Sequence, residues 1–319
     1  MQVLLTGGAG FIGSNFVRLF VQGQFPQFSH IYILDKLTYA GNLENIENFL
    51  CDPNVTFIQG DILDKDLVYE LMKSINLVVN MAAESHVDNS ISNSSPFVTT
   101  NIVGTQALLE ASLQNKHIKF IQVSTDEVYG SILTGTWNEN SNLEPNSPYS
   151  ASKASADLLV NAFAKTYRLE TVITRCTNNY GPNQFPEKII PFFIKKLVSG
   201  EKVPIYGNGN QIRDWLYVDD HCRAIYLAAI HGKSGEIYNV GGGTELKNIE
   251  LAKLIIEFMG LSEDRIEFVS DRPGHDQRYS VSWNKIAQLG YRPTAKFELD
   301  FIKTVNWYVN KFQHERHSK

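Results

Sequence analysis

A tyrosine and a lysine four residues apart, Tyr149 and Lys153, are the first pair in this sequence that could do chemistry. They fall in a helical pattern, where residues i and i+4 share one face, so both side chains should emerge together. An ammonium group beside a phenol stabilises the phenolate, so we expect Lys153 to lower the Tyr149 pKa from about 10 toward the working range. Such a tyrosine can accept a hydroxyl proton while a hydride leaves the carbon for a nicotinamide. The same spacing also occurs in exposed helical pairs, so other motifs must support this interpretation.

A glycine-rich segment from Gly7 to Gly13 gives the first support. It follows a short apolar strand pattern and opens a helical one, which is the context that a dinucleotide-binding loop requires. Glycines let the backbone approach a pyrophosphate, and the N–H groups of the helix N-terminus bind the anion. Asp35, 22 residues after Gly13, ends the second strand pattern and can accept hydrogen bonds from the adenosine ribose. Because a carboxylate there would repel a 2′-phosphate, the sequence predicts NAD rather than NADP.

Between these two motifs, a strand pattern ends in Ser124-Thr125, followed by Asp126-Glu127 and Val128-Tyr129-Gly130. With this ordered set of motifs, the chain resembles the extended short-chain dehydrogenases across nearly its whole length. Sugar-nucleotide 4-epimerases of that superfamily carry small or hydroxyl residues where Asp126 and Glu127 stand, and the related decarboxylases usually keep only the glutamate. The adjacent pair resembles the dTDP-glucose 4,6-dehydratases.

This resemblance implies roles for the two carboxyl groups. Oxidation at the sugar C4 acidifies the C5 proton, and loss of water across C5–C6 then needs a base and an acid. Glu127 would be the base and Asp126 the acid, while Thr125 would hydrogen-bond the C4 oxygen beside Tyr149. Hydride would return to C6, so NAD would be regenerated in each turnover. Asp126 must then be protonated near neutral pH, which predicts that burial and the Glu127 charge raise its pKa.

The motifs and the resemblance together predict the site. The expected catalytic residues are Thr125, Asp126, Glu127, Tyr149 and Lys153. The expected NAD contacts are Gly7, Gly10, Phe11, Ile12, Gly13, Asp35, Lys36, Leu37, Thr38, Asp61, Ile62, Ala82, Ala83, Ser85, Thr100, Tyr149, Lys153 and Asn179. The expected contacts to a nucleotide diphosphate sugar are His86, Thr125, Asn178, Lys188, Ile189, Pro204, Ile205, Tyr206, Arg213, Asn248, Arg272 and His275.

Two other functions stay open at this point. One is another NAD-dependent nucleotide-sugar dehydratase or a UDP-sugar 4-epimerase, although an epimerase eliminates no water and has no need for Asp126. The other is a catalytically silent dinucleotide sensor, which would have no reason to keep Thr125, Tyr149 and Lys153. The sequence also departs from the commonest family pattern: Thr177 stands where serine is usual and Asn89 where arginine is frequent. These departures leave room for a different base or sugar.

The elements that must position these residues follow an alternating pattern. Six nearly continuous apolar runs, typical of strands buried on both faces, alternate with helical patterns. This predicts an α/β fold: a Rossmann-like, doubly wound parallel sheet with a smaller C-terminal substrate-binding lobe, and ligands at the carboxyl ends of the strands. We predict that residues 1–176, plus about 212–240, form the NAD-binding domain. Residues 177–211 and 241–319 would form the substrate-binding lobe.

Composition narrows the setting of the protein. The 319 residues carry a net charge of −5, which argues against a nucleic-acid surface, and no apolar run has the length of a membrane span. The start of the sequence lacks the features of a signal peptide, and the three cysteines have no metal-ligand spacing. We therefore expect a cytoplasmic enzyme without a metal, acting in deoxysugar synthesis such as that of rhamnose. The resemblance also implies a homodimer, joined through helices near 96–114 and 149–167.

Overall fold

The computed structural model describes residues 1–114 and 117–317, without the side chain of residue 317. The last two residues of the predicted substrate-binding range, 318 and 319, lie outside the described part. The strands are β1 (Gln2–Thr6), β2 (His30–Asp35), β3 (Val55–Gln59), β4 (Leu77–Asn80), β5 (Lys119–Thr125), β6 (Glu170–Cys176), β7 (Asn178–Tyr180), β8 (Val203–Tyr206), β9 (Ile212–Tyr217), β10 (Glu236–Val240), β11 (Glu245–Lys247) and β12 (Ile266–Val269).

Helices connect these strands. Between β4 and β5, the stretch Val98–Gly104 is a π-helix. The α-helices are α1 (Phe11–Val21), α2 (Lys65–Met72), α3 (Val87–Ser92), α4 (Ser95–Phe97), α5 (Thr105–Ser112), α6 (Pro148–Tyr167), α7 (Ile189–Val198), α8 (Val218–His231), α9 (Asn248–Phe258), α10 (Asn284–Ala287) and α11 (Phe297–His317). The sequence predicts one helix over 96–114, and the structure divides that stretch into α4, the π-helix and α5.

The large sheet has seven parallel strands in the order β10-β6-β5-β4-β1-β2-β3. Alternate side chains of β1 enter the two apolar layers: Val3 and Leu5 pack with α1 and α8, whereas Leu4 packs with α2, α5 and α6. Burial on both faces explains the continuous apolar runs in the sequence. The predicted doubly wound parallel sheet is confirmed, and β1 and β2 have the predicted bounds.

Two small sheets and a second apolar core complete the chain. Strands β7, β9 and β11 form one sheet, and β8 pairs with β12. The second core gathers side chains from α7, α9 and α11. The sequence predicts α7 and α9 but not α11, which contributes Phe301, Val305, Tyr308 and Phe312 at helical spacing. Among the described residues, no helix combines the length and apolarity needed to cross a membrane.

Candidate active site

A cleft of about 1230 Å³ lies at the carboxyl ends of β1 to β6 and reaches the second core. The sequence-predicted residues line this cleft, with one exception. That exception, Leu37, packs against the core beside the cleft, and only its backbone N–H takes part in the site, donating to Asp35 Oδ1 at 2.8 Å. The contact of Leu37 with the cofactor stays a prediction; the chain turns at this residue with φ 55°.

The glycine-rich loop is shaped by close backbone contacts. Gly7 has φ +71°, and a Cβ there would lie 2.8 Å from the backbone nitrogen of Ala82. A Cβ on Gly13 would lie 2.3 Å from the Gly7 carbonyl oxygen. Gly10 precedes α1 and provides no side-chain cap for the helix N-terminus. The first N–H groups of α1 therefore face the cleft and suit the negative charge of a diphosphate.

Asp35 ends β2 with its carboxylate held by the backbone. Oδ2 accepts from the Ala9 N–H at 2.9 Å and Oδ1 from the Leu37 N–H. Each oxygen keeps a second lone pair, so the carboxylate can still accept hydrogen bonds from two ribose hydroxyls. Lys36 does not neutralise Asp35, because its Nζ forms a salt bridge with Asp61 at 2.6 Å. The surroundings of Asp35 therefore suit an adenosine ribose with a free 2′-hydroxyl, as in NAD.

The strand end of β5 carries the two adjacent carboxyl groups on a short 3-10 turn that begins at Asp126. The Thr125 hydroxyl accepts the Glu127 N–H at 3.3 Å, which fixes the turn. Asp126 is only 2% exposed, and its Oδ2 has no hydrogen-bond partner among the described residues. Burial first, and then the charges of Glu127 and Asp214, raise the pKa of Asp126 well above its usual value. The direction of the pKa shift and its two predicted causes, burial and the Glu127 charge, agree with the sequence analysis.

Glu127 has a different electrostatic environment. Burial raises its pKa, but the positive charges of Lys188, Arg213 and Arg272 oppose that shift. Three cations therefore stabilise the Glu127 carboxylate, whereas a neighbouring carboxylate destabilises the charged form of Asp126. Burial raises the pKa of both groups, but three cations oppose the rise at Glu127, which makes Glu127 the better candidate for the base and Asp126 for the acid.

Helix α6 places Tyr149 and Lys153 in the same cleft. Ser147 caps the helix through a capping box with Ser150, and Pro148 occupies the first helical position, so Tyr149 lies in the first turn. Lys153 Nζ donates to the Val123 carbonyl oxygen at 2.8 Å.

The structure corrects one expectation about this pair. Burial, followed by the charges of Glu127, Cys176 and Asp126, raises the pKa of Tyr149 well above 10, although a hydrogen bond with Thr125 opposes the rise. The expected lowering of the Tyr149 pKa by Lys153 is wrong in direction, because desolvation of the phenolate is the largest effect at this position.

On the opposite side, cationic side chains converge from the second core. Arg213 is buried with its guanidinium 4.3 Å from the centre of the Tyr279 ring. Arg272 Nη1 contacts Asp88 Oδ1 at 2.9 Å, and Lys188 Nζ donates to the Ser85 carbonyl oxygen at 2.5 Å. These groups give the cleft a cationic wall suited to a diphosphate.

Tyr206 and His275 lie beside this wall. The Tyr206 hydroxyl donates to Asp88 Oδ2 at 3.2 Å, and its ring meets the ring of His275 edge-on. His275 Nδ1 lies 2.6 Å from Asp271 Oδ1. Both aromatic groups therefore have fixed positions at the edge of the cleft.

Sequence reasoning missed several residues of the site. Asp88 was not among the expected site residues, yet it contacts both Arg272 and Tyr206. The buried His221 Nδ1 lies 2.9 Å from Asn179 Oδ1, and Asn179 Nδ2 approaches Cys176 Sγ at 3.4 Å. Burial lowers the pKa of His221 to about 3, so its ring is neutral. A lone histidine within a helical pattern has no local signal that could have revealed this contact.

Among the residues that the structure describes, no group of three or more His, Cys, Asp or Glu side chains could hold a metal ion. The functional groups in the cleft are instead proton carriers, cations and backbone amides. This donor set fits a dinucleotide cofactor and an anionic sugar nucleotide.

Comparison with known proteins agrees with this geometry. Residues 4–303 match the model of the family described as GDP-mannose 4,6 dehydratase. The chain is 51% identical over 312 residues to a dTDP-glucose 4,6-dehydratase of Actinoplanes sp., covering 97% of this chain and 98% of that protein. The crystal structure of DesIV, a dTDP-glucose 4,6-dehydratase from Streptomyces venezuelae with NAD and TYD bound, matches with a TM-score of 0.96 and 48% identity over 97% of each chain.

A more distant structure shows how widely the fold is shared. The UDP-glucuronic acid 4-epimerase from Bacillus cereus, in complex with UDP-glucuronic acid and NAD, matches with a TM-score of 0.91 and 29% identity, over 98% of this chain and 100% of that one. The fold therefore does not separate dehydratases from epimerases, whereas the sequence identity does, at 51% to the dehydratase against 29% to the epimerase. The chain belongs to the GDP-mannose 4,6 dehydratase family and, within it, to the dTDP-glucose 4,6-dehydratases.

Proposed function

We propose that this protein converts dTDP-glucose to dTDP-4-keto-6-deoxy-glucose, using NAD as an internal hydride carrier. The observation that carries the proposal is the pair of buried carboxyl groups, Asp126 and Glu127, in the same cleft as Tyr149. An enzyme that only oxidises or epimerises C4 needs the tyrosine alone. A second acid and a second base are needed when water is eliminated, and the opposite electrostatic environments of these two groups meet that need.

The residues around the glycine-rich loop fit NAD. The uncapped N-terminus of α1 would bind the pyrophosphate, and the Asp35 carboxylate would accept hydrogen bonds from the adenosine ribose. Lys153 and Asn179 line the cleft and would hold the nicotinamide half. When bound, NAD supplies a place for the hydride from C4 until that hydride is needed at C6.

The first proton transfer belongs to Tyr149 and Thr125. The Thr125 hydroxyl hydrogen-bonds to the phenol and lowers its pKa, against the effect of burial. Tyr149 takes the proton of the C4 hydroxyl as C4 is oxidised, and Thr125 holds the C4 oxygen. To take this proton Tyr149 must be a phenolate, and burial disfavours that form, so the Lys153 ammonium group and a bound cofactor would have to supply the positive charge that offsets burial.

The elimination then uses the two carboxyl groups in turn. Glu127 removes the C5 proton, which the C4 ketone has acidified, and Asp126 gives its proton to the departing C6 hydroxyl as water. In the last step a proton returns to C5 from Glu127 as hydride returns to C6. Glu127 ends as a carboxylate. Tyr149 releases the proton that it took from the C4 hydroxyl, and Asp126 takes up a proton from solvent, so the protein is unchanged after each cycle.

The nucleotide half of the substrate would lie against the cationic wall. Arg213 and Arg272 present guanidinium groups suited to phosphate oxygens, with Lys188 close to them. Tyr206, Ile205 and Pro204 line the cleft beyond this wall and suit the flat face of a pyrimidine base.

The two predicted lobes also belong to this proposal. Helix α8 and strand β10 contribute to the core of the large sheet, which supports counting residues near 218–240 with the NAD-binding domain. Trp215, inside the predicted range 212–240, packs in the second core instead. We therefore place the return to the first domain near residue 218.

We further propose that the protein is a homodimer in the cytoplasm. The π-helix and α6 leave Val98, Val103 and Leu158 between 44% and 59% exposed. Apolar side chains on these two helices would be covered by the same helices of a second copy. All three cysteines are free, as expected in a reducing compartment.

The deciding experiment follows the hydride. Purified protein without added cofactor is incubated with dTDP-glucose deuterated at C4, and we expect a 4-keto-6-deoxy product with deuterium at C6 of the same molecule. A product at the glucose oxidation level, inverted at C4, would instead identify an epimerase. Mixing labelled and unlabelled substrate gives the control, because an internal hydride carrier produces no exchange of label between molecules.

A further inference from the structure

A row of buried charged side chains lies behind the catalytic strand ends. Arg175 on β6 is the register partner of Ser124 on β5, and its Nε donates to Asp157 Oδ2 at 2.8 Å. Asp157 follows Lys153 by four residues in α6, so the two side chains share one face of the helix. None of Lys153, Asp157 and Arg175 is more than 4% exposed.

Lys153 needs a counter-charge to remain an ammonium group in this position. Its Nζ donates to the Val123 carbonyl oxygen, which is a dipole and carries no net charge. Burial lowers the pKa of Lys153, and the carboxylate of Asp157 is the largest effect that opposes this shift, followed by the Cys176 thiol. A buried ammonium group without such a partner stays buried but gives up its proton and becomes neutral.

Asp157 is itself paired with a buried cation. Arg175 pairs with its Oδ2, whereas its Oδ1 is fully buried without a hydrogen-bond partner among the described residues. The Arg175 guanidinium also lies 4.7 Å from the centre of the Tyr129 ring, which holds it in place. A buried, half-paired carboxylate costs free energy, so it contributes little to the fold by itself. We therefore look for the role of Asp157 in the effect of its charge on Lys153.

We propose that Asp157 is a positioning residue for the dehydratase reaction: its carboxylate, held by Arg175, keeps Lys153 an ammonium group in the cofactor cleft. Asp157 is not among the residues that line the cleft, so it acts through Lys153. The inference rests on the proposed function, because it needs a reaction in which Lys153 takes part. The nicotinamide ribose and the phenol of Tyr149 are the groups that a cationic Lys153 would serve.

The other titratable groups around Lys153 define what a pH profile can report. Tyr149 lies on the same helix, Cys176 next to Arg175 on β6, and Asp126 with Glu127 at the end of β5. Burial raises the pKa of the Cys176 thiol to about 12, so the thiol is neutral near pH 7. Burial also raises the pKa of Asp126, of Glu127 and of Tyr149, whereas it lowers the pKa of Lys153. The loss of activity at alkaline pH therefore reports chiefly on Lys153.

The test uses the bound NAD of the holoenzyme and measures its reduction in a single turnover with dTDP-glucose, across a pH series. We expect Asp157→Asn to move the alkaline loss of the rate constant to lower pH by about one unit or more, with little change in the substrate concentration needed for half-saturation. Asp157→Glu keeps the charge and should restore most of the wild-type profile. Arg175→Gln removes the cation that holds the Asp157 carboxylate, so it should also move the alkaline loss to lower pH, by less than Asp157→Asn does.

Asp157→Asn leaves Arg175 buried without a partner, which threatens the fold. If it yields no folded protein, the double variant Asp157→Asn with Arg175→Gln removes both charges, and its alkaline loss should still lie below that of the wild type. The inference would be overturned if the folded variant reduces NAD more slowly at every pH while its loss of activity at alkaline pH stays where it is in the wild type. Asp157 and Arg175 would then have a structural role alone. The proposed function is tested separately by the wild-type product, so its failure is distinguishable from the failure of this inference.

Discussion

Replacing the buried His221 with glutamine is expected to make the protein less sensitive to acid. Burial lowers the pKa of His221 from 6.5 to about 3, so the ring is neutral when folded and takes up a proton readily only when the chain unfolds. For a group whose pKa is lower in the folded state, stability is fully present above the unfolded pKa and is lost as the pH falls toward the folded pKa. The window for His221 therefore runs from about pH 6.5 down to about pH 3.

The size of the effect follows from the shift. Each unit of pKa difference corresponds to about 1.4 kcal/mol, so the whole window is worth about 5 kcal/mol. At pH 5, about 1.5 units below the unfolded pKa, the loss has reached about 2 kcal/mol. Glutamine can donate to Asn179 Oδ1 as the ring does, and it does not titrate.

The assay is denaturant unfolding of wild-type and His221→Gln protein, each saturated with NAD, at neutral pH and near pH 5. When the pH is lowered from neutral to about 5, the free energy of unfolding of the variant should rise by about 2 kcal/mol relative to that of the wild type. His231→Gln on the same helix is the matched control, because His231 is exposed and should leave the difference unchanged. Equal pH dependence in the wild type and His221→Gln would refute the reasoning that burial keeps this ring neutral.

Four other outcomes can be checked directly. Asp126→Asn keeps the shape of a side chain whose Oδ2 has no partner, so NAD reduction should persist while the rate of water elimination falls by about 10²- to 10⁴-fold; unchanged product formation would contradict its role as the acid. Tyr149→Phe should abolish the burst of reduced cofactor in the same spectroscopic assay, and a normal burst would exclude Tyr149 as the base. Asp35→Ala should weaken NAD binding by about tenfold or more and narrow the preference over NADP, measured by calorimetry on cofactor-free protein; an unchanged ratio of the two affinities would remove Asp35 from the ribose site. Leu158→Arg should shift the protein toward monomers in analytical ultracentrifugation, and dimers of unchanged stability would place the interface elsewhere.

The sequence was sufficient where a local pattern has one structural consequence. Continuous apolar runs predicted the strands of the large sheet because both faces of that sheet are buried. The spacing of Tyr149 and Lys153 predicted that one helix would bring both side chains to the cleft. The position of Asp35 at the end of β2 followed from the same alternation of strands and helices.

Properties that depend on the three-dimensional surroundings were not predictable in this way. The pKa of Tyr149 is set by burial and by carboxylates from another element, so an argument from its helical neighbour alone had the wrong sign. The contact between His221 and Asn179 joins residues 42 positions apart, on separate elements. Helix α11 could have been found, because Phe301, Val305, Tyr308 and Phe312 repeat at helical spacing, but its polar residues obscured the pattern.

The stretch over residues 82–88, which follows β4 and enters the first turn of α3, touches both halves of the cleft. Ala82 and Ala83 line it below the glycine-rich loop, while Asp88 at the other end holds Arg272 and Tyr206. A ligand that displaces this segment at one end must therefore change the affinity at the other, and thermodynamic linkage makes the two changes equal in factor. Binding of the cofactor and binding of the sugar nucleotide are thus coupled through this segment. If the cofactor binds first and orders the segment, the sugar nucleotide binds more tightly because it no longer pays the free energy of that ordering.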